Sequence, residues 1–134
     1  MIDFEADIYA RVTAALRSSY NPIYISNEET RMPSKFPFTS IVEIDNYAYR
    51  RTMDSGGNER HAQVVFEVTV ASNKTTGRKA ECKAILSDID EIFTGIGFTR
   101  TMTNPVPMED ATIFKLVARY SAIIDVSGKI YNRR

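Results

Sequence analysis

Thr112–Val126, TIFKLVARYSAIIDV, alternates in steps of two, with Phe114, Leu116, Ala118, Tyr120, Ala122 and Ile124 on one side. That period is a β-strand's. At about 3.3 Å per residue the stretch would reach about 50 Å, so a bend or a run beyond the main sheet is expected. The same period governs Phe38–Tyr49, where Val42, Ile44 and Ala48 share a row, and His61–Ala71, where Ala62, Val64, Phe66, Val68 and Val70 do. Between them, RRTMDSGGNERH carries Gly56-Gly57 in a polar setting, which predicts a hairpin with a long loop. If both rows face one core, paired residue numbers must have an even sum, because a slip of one residue turns a whole row toward water.

Outward from these strands the period changes to that of helices. Phe4, Ile8, Val12, Ala15 and Leu16 form one stripe over about Asp3–Ser19, and Asn21-Pro22 ends it. Cys82, Ile85, Leu86, Ile89, Ile92, Phe93 and Ile96 form a second over about Thr76–Thr94. Thr75 or Thr76 is the expected cap of this helix, and Gly95 or Gly97 its left-handed end. Short strands are expected at Ile23–Ser26 and Phe98–Thr103, the latter stopped by Asn104-Pro105-Val106-Pro107, and Asn27–Pro37 reads as a surface loop. The order α-β-β-β-α-β-β gives an α+β fold: an antiparallel or mixed sheet of about five strands, both helices on one face, and a long hairpin arm. Residues 1–134 read as one domain, with a flexible hairpin loop at about 50–60 and a short basic tail at 129–134.

Composition removes several functions. Seventeen basic residues balance seventeen acidic ones, so no global field draws the chain to nucleic acid or an anionic membrane. One histidine, His61, and one cysteine, Cys82, exclude an internal disulfide and a zinc site made only of Cys and His. The opening Met1-Ile2-Asp3-Phe4-Glu5 lacks a signal-peptide pattern and no run of eighteen apolar residues occurs, so a reducing, aqueous compartment is expected.

Catalytic chemistry finds no foothold. His61 starts a strand among charged neighbours with no nucleophile elbow near it. Asp88 and Asp90 are two apart on a helix and diverge, reading as its solvated face; Cys82 lies on the apolar stripe and reads as a small buried hydrophobe. Thr75-Thr76-Gly77-Arg78-Lys79 lacks the spacing of a phosphate loop, and no dinucleotide fingerprint or nucleic-acid-binding motif is present. No enzyme activity, cofactor, metal or sequence-specific nucleic-acid contact is therefore expected.

The second side of the sheet points to assembly. Ile41, Tyr47, Tyr49, Val65, Ile113, Val117 and Ile123 stand there among Glu43, Asp45, Glu67, Lys115 and Arg119, where a monomer would carry mainly polar residues. Apolar and ionic groups so mixed resemble a protein interface, although scattered exposed apolar residues also occur on monomers. Arg50, Arg51 and Arg60 flank Met53 and the glycine pair, making either a basic arm that docks on a neighbour or a plain solvated loop. The residues expected to bind other proteins are thus Ile41, Tyr47, Tyr49, Arg50, Arg51, Met53, Arg60, Val65, Ile113, Lys115, Val117, Arg119 and Ile123.

Four features together carry a family resemblance: the opening amphipathic helix, the Phe38–Ala71 hairpin with its charged loop, the helix ending EIFTGIGF at 91–98, and the long final strand TIFKLVARYSAIID at 112–125. Over nearly its whole length the chain resembles the small tail-terminator and head-to-tail joining proteins of long-tailed bacteriophages and prophages. The resemblance implies a structural virion protein without enzyme activity. It implies a homo-oligomeric, hexameric ring that caps the tail tube protein and mates it to the head connector proteins, in the host cytoplasm during assembly and then in the virion. The contrasting reading from the residues is a small ligand-binding or regulatory α+β module whose cleft between sheet and helices holds a small molecule.

Overall fold

A computed structural model describes residues 2–20, 22–28, 33, 35–48 and 61–131. The elements follow the order α1 (Glu5–Ser19), β1 (Tyr24–Ser26), β2 (Phe38–Ala48), β3 (His61–Ser72), α2 (Arg78–Gly95), β4 (Thr99–Pro105), β5 (Phe114–Asp125) and β6 (Ile130–Tyr131). The fold is α+β, with strands ordered β1-β2-β3-β5-β4 and β6 beside β5. β1 pairs parallel with β2, and every other pairing is antiparallel, so the sheet is mixed. The sixth strand has two residues, too few for a periodic signal in sequence.

Both helices lie on one side. Ile8, Val12 and Leu16 of α1 and Cys82, Ile85, Leu86, Ile89 and Phe93 of α2 share a core with the even-numbered rows of β3 and β5. Every residue of β5 has a partner on β3, from Ser72 opposite Phe114 to His61 opposite Asp125. The strand therefore ends with the sheet, which removes one of the two expected alternatives, the run beyond it. At the centre, Phe93 stacks on Tyr120 with centroids 4.6 Å apart, and Phe98 meets Phe66 and Phe93 edge-on. Tyr120 donates a 2.9 Å hydrogen bond to Asp90, and Tyr20, just past α1, donates to Asp88, so α2 satisfies both of these hydroxyls.

Of the two helix-end expectations, one changes and one holds. Neither Thr75 nor Thr76 caps α2; Gly77 does, at φ +82°, a conformation that side-chain-bearing residues adopt rarely. At the other end Gly95 is helical and Gly97 is left-handed, at φ +110°, as one of the two expected residues. A Cβ at Gly97 would stand 2.8 Å from the Ile130 side chain, so β6 closes against this turn. β4 continues through Asn104-Pro105, where a stop was expected, because an edge strand tolerates a proline whose missing N–H would face solvent.

The larger correction is in β2. Ile41 stands opposite Val68 and Glu43 opposite Phe66, whereas Asp45 stands opposite Val65 and Tyr47 opposite Gln63, with a bulge at Ile44. Before the bulge the paired numbers have an odd sum, after it an even one. The extra residue swaps the faces. Ile41, Glu43, Asn46 and Ala48 consequently point to the helices, Val42 points away, and Ile44 is exposed at the bulge.

Candidate interaction surface

The helix-free side of the sheet is built in rows, because directly opposed residues share a face. One row crosses it through Val42, Glu67, Arg119 and Met102, and the next through Asp45, Val65, Ser121 and Thr99. At its middle the Arg119 Nε donates to Glu67 Oε2 at 2.9 Å, an ion pair between partly exposed side chains. Val42, Val65, Val117 and Met102 surround it, half-buried, and Tyr47 is 51% exposed beyond the bulge. An apolar frame around a charged centre, open to water, is the composition expected of a contact surface.

Not every residue expected on this surface is there. Ile41 is 0% exposed beneath the helices, because the bulge turned its row inward. Lys115 is 9% exposed, at the end of the sheet where Phe38, Ser40 and Ala71 are buried too. Ile123 is also 9% exposed, with β6 paired alongside it. These three are buried within the chain itself and are removed from the surface. Ile113 precedes β5 and is half-buried, while Tyr47, Val65, Val117 and Arg119 do lie on the helix-free side. Tyr49, Arg50, Arg51, Met53 and Arg60, the whole expected arm, lie outside the described residues, as do the tail residues 132–134. Val42 and Met102 also lie on this surface, though neither is among the thirteen residues expected to bind other proteins; the bulges at Ile44 and Thr101 break the alternation that would have placed them there.

Glu43 is another residue of β2 that sequence periodicity misplaced. On the helix-bearing side, half-buried near Glu5 and Asp3, its carboxyl is pushed up to about 7, first by burial and then by those two carboxylates. Cys82 is fully buried, its thiol pushed up to about 12 by burial and by Glu81, which leaves it protonated and unreactive. A groove of about 240 Å³ lies between α2 and β4, with Lys83, Ser87, Asp90, Arg100 and Thr103 on its walls and Leu86 and Leu116 on its floor. Asp90 and Arg100 face each other there at 3.7 Å.

Among the described residues, no group of three or more His, Cys, Asp or Glu side chains is placed to hold a metal ion. None of the described helices is long and apolar enough to cross a membrane. Compared with models of known protein families and with curated proteins, the chain matches none.

Proposed function

We propose that this chain is a structural virion protein of a long-tailed bacteriophage or prophage, whose copies form a ring that terminates the tail tube and joins it to the head connector. The observation that carries this reading is a sheet whose two described helices both lie on one side, with Val42, Val65, Val117 and Met102 set around the Glu67–Arg119 ion pair on the other. A surface of that composition is suited to a protein partner. The role is geometric: each subunit presents an edge or face to the next, and a contact between unlike surfaces closes into a ring when its rotation closes.

The test is electron microscopy of the purified chain mixed with tail tubes from the phage or prophage that encodes it. A ring of density on one end of the tubes, blocking further growth, is the expected result. Tubes with bare ends and unaltered length distribution overturn the proposal. The groove between α2 and β4 favours the second reading, a small-ligand module; a ligand that raises the melting temperature by mass action and leaves tubes unaffected would select it.

A further inference from the structure

The sheet has two open edges, and they carry opposite charges at the same level. On one side β1 pairs with β2 only at Phe38, Thr39 and Ser40, so β2 from Ile41 to Ala48 has no outer ladder partner among the described residues. On the other side β4, seven residues long, pairs among the described residues with β5 alone. Glu43 stands opposite Phe66, Phe66 opposite Tyr120, and Tyr120 opposite Arg100. These four make one straight row across the sheet, a carboxylate at one rim and a guanidinium at the other. Phe66 and Tyr120 belong to the core, so Glu43 and Arg100 both project on the helix-bearing side.

Neither charge is well served within the chain. Glu43 forms no ion pair among the described residues, and the charged groups facing it are the carboxylates of Glu5 and Asp3. Arg100 is half-exposed and reaches Asp90 Oδ1 only at 3.7 Å, an oxygen that already accepts the Tyr120 hydroxyl. Strand direction is also compatible: β2 and β5 run one way, β3 and β4 the other. Rotation about an axis along the strands therefore sets β4 of one copy beside β2 of the next in the antiparallel sense. Each rim has a bulge beside its charge, at Glu43/Asp45 and at Arg100/Met102, which discourages indiscriminate strand pairing and leaves the charges to select the register.

We propose that the β4 edge of each copy pairs antiparallel with the free β2 edge of the next, placing Arg100 of one subunit against Glu43 of its neighbour and joining the sheets edge to edge around the ring. This names the junction of the assembly proposed above and rests on that reading; the occupant of each edge is a second copy of this chain. The contact is heterologous, so it propagates without requiring a face-to-face dimer.

Charge reversal and cross-linking test it together on the full chain. Glu43→Arg and Arg100→Glu, each folded by circular dichroism, should each weaken ring formation by about tenfold or more in light scattering, and the double reversal should restore it. In the Glu43→Cys/Arg100→Cys variant the two sites of one chain are separated by β3 and β5, about 14 Å, beyond the reach of an intrachain disulfide. Oxidation should therefore yield a ladder of covalent oligomers up to the ring, with buried Cys82 contributing little background. Rings that form but neither cross-link nor respond to the reversals overturn the junction and leave the ring standing. Wild-type chain that remains monomeric at every accessible concentration and on tube ends overturns both.

Discussion

Glu43 pays for its place beside Glu5 and Asp3 whenever its carboxyl is ionised. Its folded value, about 7, lies above the ordinary 4.5, so the folded chain holds this proton more tightly than the unfolded one. The sign follows directly. Below about pH 4.5 the group is protonated in both states and costs nothing; between 4.5 and 7 the penalty grows, and above 7 it is complete. Glu43→Gln should therefore raise the stability of the dissociated chain at pH 8 by about 1 kcal/mol, a modest figure because water reaches the half-buried carboxyl and screens it. At pH 4 the gain should vanish. Urea unfolding at the two pH values measures this, and an equal gain at both would show that shape, not charge, distinguishes the variant.

At the scale of elements, α2 organises the covered side of the sheet. Its stripe of Cys82, Ile85, Leu86, Ile89 and Phe93 is buried as periodicity foretells, because eighteen uninterrupted helical residues hold one phase throughout. Phe93 touches three other aromatic rings, those of Phe66, Phe98 and Tyr120. Phe93→Ala should cost about 3–5 kcal/mol, since it removes both the transfer free energy of the ring and the contacts around the cavity it leaves. A drop of less than about 1 kcal/mol in chemical denaturation would mean that the neighbouring rings collapse into the space. β2 behaves oppositely. Its bulge at Ile44 changes phase midway, so a strand that alternates in sequence presents Ile41 inward and Val42 outward. Periodicity cannot register a bulge, because the residue that forms it has no distinctive side chain and its position is settled by pairing with β3.

For the molecule as a whole, the charges at opposite rims make assembly sensitive to salt. Screening shortens from about 10 Å at 0.1 M ionic strength to about 3 Å at 1 M, which weakens a solvated Arg100–Glu43 contact while leaving apolar burial intact. Sedimentation should show the ring fraction falling as sodium chloride rises across that range, with the apparent association constant lower by several-fold. Insensitivity to salt would argue that the junction is apolar and lies on the Val42–Met102 side of the sheet instead.

The two helices, the burial of β3 and β5 through their even rows, and the α+β order apart from the two-residue β6 were present in the linear pattern, the long elements because their period persists over ten or more residues. Which groups finally reach the surface was decided only in three dimensions. Ile41 and Glu43 changed face through one inserted residue, Ile123 is buried with a two-residue strand paired beside it, and Lys115 lies at the closed end of the sheet. The alignment of Glu43 with Arg100 across four strands is likewise invisible along the chain, since it depends on three registers at once, and register is set by the packing of whole rows against a shared core.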